Sequence, residues 1–185
     1  MTLSDLLLPT YTQMLGTMAT WLDKAEAARG GEAEALLSAR LAPDMFPLAT
    51  QVRFACRQAQ EAVFRLQARD FPPEIQELLE EARNAGERPG TLADARARIS
   101  ETLAVVEAAA ADGLTLDGDA PIAHALPNGM AMNVTATVYA RDWALPQFYF
   151  HVVTAYAILR AEGIELGKAD YCAHMLPYFS MPQGG

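Results

Sequence analysis

Four long stretches of this chain repeat apolar residues at intervals of three and four, and that period leaves few folds open. The first runs through Leu7, Tyr11, Met14, Met18, Leu22 and Ala25, and the second through Leu48, Val52, Ala55, Ala59, Val63 and Leu66. The third follows Leu92, Ala95, Ile99, Leu103, Val106 and Ala110, and the last Phe148, Val152, Ala155, Tyr156 and Leu159. Residues so spaced line one face of an α-helix. Each such face is stable only when it is buried against another. An all-α fold, an antiparallel four-helix bundle, hides all four together. At 185 residues the chain has the usual size of one domain, so a single domain spanning 1–185 is expected.

The punctuation between the stripes sets the expected boundaries. Pro9 removes a backbone donor and crowds the carbonyl four residues back, which predicts a kink or restart in the first helix. Gly30 and Gly31 supply its stop. Glu32 to Leu37 reads as a helical turn, and Asp44 as the N-cap of the second helix with Pro47 in its first turn. Pro72 and Pro73 forbid its continuation, and Glu74 to Asn84 reads as a short, acidic, peripheral helix. Gly86 to Gly90 is a linker, after which Thr91 and Asp94 resemble a capping box. Between Leu114 and Val134 the helical period is lost. There Pro127, Asn128 and Gly129 form a turn signal between Ile122–Leu126 and Met130, Met132 and Val134, which allows a small β-hairpin in the third connection. Thr135 to Leu145 reads as a short helix closed by Pro146, and Gly163 ends the last long helix.

Charge and composition exclude several classes of function. Fourteen Lys and Arg stand against twenty-three Asp and Glu, a net charge of -9 and a pI near 4.7, which repels a phosphate backbone and argues against nucleic acid. No segment approaches the roughly 18 uninterrupted apolar residues of a membrane span. No basic region precedes Leu3 to Leu8, so a cytoplasmic location is the default expectation. Cys56 and Cys172 imply no disulfide framework and are expected as free thiols. Ser38, Ser100 and Ser180 have no glycine elbow around them, and no Gly-rich phosphate loop occurs. Met14, Met18, Met130 and Met132 read as gap fillers in a core rather than as an adaptable binding surface.

One segment carries more specific information. Phe148 to Asp170 reads FYFHVVTAYAILRAEGIELGKAD, with Phe150-His151, Thr154 to Tyr156, Leu159-Arg160, Gly163, and then Gly167, Lys168 and Asp170. Together with Asp44-Met45, Gln51 and the Leu-rich start, this pattern resembles the domain-of-unknown-function branch of the DinB/YfiT-like four-helix-bundle superfamily. The resemblance implies a bundle but assigns no activity. The wider superfamily commonly holds a divalent metal with three histidines, one on the second helix and two spaced by four on the last. Alignment on Leu159-Arg160 places His151 at the second of the paired positions, Gln147 at the first, and Gln51 on the second helix. Neutral amides are poor transition-metal ligands beside imidazole, so no metal and no cofactor are expected.

Two roles stand open for His151. It is a core histidine satisfied by a hydrogen bond, or a proton-transfer or ligand group titrating near neutral pH. With Gln147, Gln51 and Tyr156 it defines a candidate ligand pocket between the helices. Cys172 and His174 lack a second pair for zinc and read as tail packing, and His124 reads as a surface or hairpin residue. Arg160, Lys168 and Asp170 read as capping or mutually paired charges. The favoured role is a binding or structural bundle with a degenerate metal site, taking a small-molecule ligand. The alternative is a divergent metal-dependent or thiol-transfer-like enzyme, which rests on the superfamily alone. A homodimer is the third candidate, because the aromatic run Phe148 to Phe150 offers more apolar surface than one face hides.

Overall fold

The computed structural model describes residues 1–126 and 129–180. It is mostly helical, with one small antiparallel sheet. The chain begins with α1 (Leu3–Arg29), held at its start by Thr2 and Asp5, whose side chains and backbone donors satisfy each other reciprocally. A 3-10 helix (Gly30–Ser38) follows, then α2 (Leu48–Leu66), α3 (Pro73–Asn84) and α4 (Leu92–Asp112). Strands β1 (Pro121–Ala125) and β2 (Ala131–Thr135) pair antiparallel, with Ala123 opposite Asn133. The chain then winds through α5 (Ala136–Val138), a π-helical segment (Tyr139–Ala144) and α6 (Leu145–Ala161), and ends in α7 (Lys168–Tyr171) and a 3-10 turn (Ala173–Tyr178).

The stripes read from the sequence are the faces that meet. Helix α1 packs on α4 and α6, α2 packs on the same two helices, and α3 lies on α2. Every residue of the α2 stripe is buried, as are Leu7, Tyr11, Met14, Met18, Leu22 and Ala25 of α1. Tyr11 and Phe148 meet edge to face at 4.7 Å, joining α1 to α6 through two of the largest buried rings. On α4 the stripe closes on Ala109, with Ala110 exposed. Among the described residues no helix is long and apolar enough to cross a membrane.

Four local expectations are corrected. Helix α1 runs unbroken through Pro9, because Pro9 and Asp5, whose carbonyl loses its partner, are both on the exposed face where water can replace the bond. Asp44 is not the N-cap of α2; the helix starts at Leu48 with Pro47 in the cap position, and the Leu48 amide donates to the Ala39 carbonyl at 2.9 Å. Pro146 closes no helix. The π turn immediately before it widens the backbone, the Leu145 amide donating to the Ala140 carbonyl, so the chain passes from α5 into α6 without a break. Finally, α2 stops at Leu66, short of the prolines.

That early stop has a local cause. The Arg69 amide donates to the Phe64 carbonyl at 2.9 Å, a closure that needs a left-handed residue, and Ala68 supplies it at φ 53°. A side chain there costs about 1–2 kcal/mol. Ala68→Gly is therefore expected to stabilise the protein by about 0.5–1 kcal/mol, the relief of strain less the extra entropy of glycine in the unfolded chain. Urea unfolding checks this, and a less stable variant would show the turn to be unstrained.

The hairpin is docked tightly at its base. Thr137 and Ala136 donate their amides to the carbonyls of Gly118 and Ala120, both at 2.9 Å. A Cβ on Gly118 would stand 2.6 Å from the Thr137 hydroxyl, so any other residue there would force the Thr137 side chain to turn away. At the tip, Gly129 takes φ 83° and the Leu126 amide bonds the Met130 carbonyl at 2.8 Å. Pro127 and Asn128 of the expected turn signal lie outside the described residues.

Candidate functional site

Helix α2 brings Phe54, Arg57, Gln58, Glu61 and Arg65 onto one face at steps of one, three and four, so they form a single wall. The hairpin stands opposite with His124, the π segment adds Trp143, α6 adds Gln147 and His151, and α3 adds Leu79 and Arg83. Together these enclose an open cleft of about 940 Å³.

His151 sits at the cleft with its imidazole nearly buried. Behind it, the Gln51 amide nitrogen donates to the Phe46 carbonyl at 3.1 Å, which turns the amide oxygen toward His151 Nδ1 at 2.9 Å. An amide oxygen only accepts, so the network assigns the proton to Nδ1 and leaves a lone pair on Nε2. Nε2 is not buried and has no partner among the described residues, so it opens to the cleft. Burial alone pulls the pKa of His151 down to about 4, and the ring is neutral at pH 7. Phe54 and Phe150 flank it at 5.1 and 5.3 Å.

The sequence-derived pocket is thus brought together in part. His151 and Gln147 line the cleft, and Gln51 supports His151 from behind. Tyr156 lies elsewhere, packed at 5.4 Å against Trp21 and at 6.2 Å against Tyr171, where it helps dock the C-terminal segment. The motif charges hold the same end of the chain. Arg160 donates to the Leu166 carbonyl, while Asp170 pairs with Lys24 and accepts the Gly167 amide.

The residues at the superfamily's metal position do not fit a divalent ion. Two of them, Gln51 and His151, are bonded to each other, which occupies Nδ1 and the amide oxygen. What remains is Nε2 of a single imidazole and the neutral amide of Gln147, a poor donor set for a transition ion. Among the described residues no group of three His, Cys, Asp or Glu side chains gathers to hold a metal.

The larger feature is an ionic cluster that the sequence reading passed over. Glu61 is 2% exposed. Its two oxygens take Arg57 at 2.8 Å and Arg65 at 3.0 Å, one turn below and one turn above on α2. Arg65 also donates to the Ala123 carbonyl at 3.3 Å and lies over the rings of Phe71 and Tyr139, tying α2 to the hairpin. His124 is correspondingly no surface residue: it is 9% exposed, with Nδ1 3.4 Å from Glu61 and its ring beside Trp143 and Tyr139. Burial lowers its pKa, opposed by Glu61 and aided by the two arginines.

Thiol chemistry finds little support at this site. Cys56 is fully buried, and desolvation pushes its pKa up to about 12, so it holds no thiolate at neutral pH. Cys172 is half-buried and free, and does not line the cleft.

Comparison with known proteins agrees with the shape of the chain. No curated protein matches it. A crystal structure described as a DinB family member protein from Shewanella denitrificans is 33% identical, covering 99% of this chain and 95% of its own, with a TM-score of 0.69. A family model described as a domain of unknown function, DUF1993, matches residues 3–172. Since that match spans nearly every element from α1 to α7, the chain belongs to the DUF1993 family.

Proposed function

We infer that this protein is a small-molecule binding bundle, one domain over residues 1–185, in which four antiparallel helices of the DinB type carry a ligand cleft in place of a metal centre. The carrying observation is the cleft of about 940 Å³, with the His151–Gln51 pair at one side and the Glu61 cluster against the hairpin. Its volume lies in the range of about 300–1,000 Å³ that suits small ligands. Charged and amide side chains line one part of it, while Phe54, Phe71, Leu79 and Trp143 supply apolar walls. The ring of His151, neutral and oriented by Gln51, offers an acceptor to a ligand donor. Phe46, Phe150 and Val153, which are exposed beside this region, form the face that a homodimer would bury.

Native mass spectrometry of the protein as purified, with elemental analysis, tests this function. The expected result is a bound small molecule, or binding from a compound library, that is abolished when Gln147→Trp fills the cleft. A stoichiometric divalent ion that is lost in His151→Ala would replace this function with the metal-dependent alternative.

A further inference from the structure

The charge of the cleft runs against the charge of the chain. Arg57, Arg65 and Arg83 line it, and among the described residues Glu61 is the one carboxylate that does so. The protein as a whole carries -9. Three cations facing one anion leave an excess of positive charge in a partly enclosed space, where it acts more strongly than on a flat surface.

The donors are also unequally used. Arg65 is committed to Glu61 and to the Ala123 carbonyl. Arg57 gives Nη1 to Glu61, while its Nη2 is not buried and has no partner among the described residues. Arg83 makes no ion pair or hydrogen bond among the described residues. Guanidinium groups present paired donors that match the two oxygens of a carboxylate or phosphate. Two such groups, on α2 and on α3, therefore face one space with donors unspent, and aromatic walls stand beside them.

We propose that the cleft binds a small organic anion, with its carboxylate or phosphate at Arg57 and Arg83 and its apolar or aromatic body against Phe54, Leu79 and Trp143. A hydroxyl or amine on that body meets the Nε2 lone pair of His151. The assignment rests on the cleft being the ligand site and adds the class of ligand.

Calorimetric titration of the full chain with 3-phenylpropionate, phenyl phosphate, inorganic phosphate and the neutral 3-phenylpropionamide tests it. At least one aromatic anion is expected to bind, more tightly than inorganic phosphate and than the amide, and less tightly as salt is added. Which anion wins identifies the oxyanion. Arg83→Gln, on an exposed position of α3, is expected to weaken that binding roughly tenfold or more while leaving the fold intact. Equal binding of the amide, or an Arg83→Gln variant with unchanged affinity, overturns the anion assignment and leaves the ligand cleft standing. Failure of all four probes to bind at millimolar concentration overturns both.

Discussion

Glu61→Ala is expected to be among the most destabilising single changes in this protein. The substitution leaves Arg57 and Arg65 facing each other across the space of one buried carboxylate, and uncompensated buried charge costs about 3–5 kcal/mol when the burial is complete. Each arginine side chain keeps 19% of its surface exposed, which lets water recover part of that, so about 2–4 kcal/mol is expected. For a chain of this size the melting temperature should fall by roughly 4–16 °C. The hairpin should loosen with it, because Arg65 loses the partner that aims it at Ala123. Urea unfolding with amide exchange on β1 measures both. A loss below about 0.5 kcal/mol would mean that these are ordinary surface ion pairs.

Acid should weaken the fold before any carboxylate titrates, and His151 is expected to be the main cause. Its pKa is about 4 in the folded protein and about 6.5 when unfolded. Between these values the unfolded chain binds a proton that the native ring refuses, so stability is complete above pH 6.5 and falls as the pH drops. The full loss is about 3 kcal/mol, of which about 2 kcal/mol has gone by pH 5. The carboxylates whose pKa is lowered, Glu81 and Asp94 among them, contribute only at lower pH, because their stabilisation is lost below their unfolded values. His124 shifts in the same direction, so the measurement is a difference. Urea unfolding of wild type and His151→Gln from about pH 7 to about pH 5 should show a steeper slope in the wild type. Parallel curves would place His151 in water and remove it from the buried site.

The helices were legible because their information is local. A stripe at steps of three and four, or Thr91 with Asp94, states its own burial or cap within a few residues. The hairpin was legible for the same reason, since lost period and a Gly129 turn are local signals. What escaped depends on distant parts of the chain. Arg57, Glu61 and Arg65 are visible as an i, i+4 ladder, yet such ladders normally face water. This one is covered only because the connection after α4 returns the hairpin over it, and nothing near residue 61 announces residue 124. Gln51 and His151 were located through family resemblance, and their hydrogen bond shows why a glutamine there serves the histidine. Tyr156, which the sequence groups with them, lies five positions beyond His151, and five positions along a helix turn a side chain to another face.

The π segment gives the site an adjustable phase. A turn of this kind spends one residue more than regular pitch requires, so residues before and after it are set about 100° apart from where an α-helix would put them. Trp143 lies within that widened turn, and Gln147 and His151 follow it on one line. Deleting a single residue between 139 and 144 would restore ordinary pitch and swing either the tryptophan or the histidine out of the cavity. The alignment of its two walls thus hangs on one surplus peptide unit, a hinge of register rather than of motion.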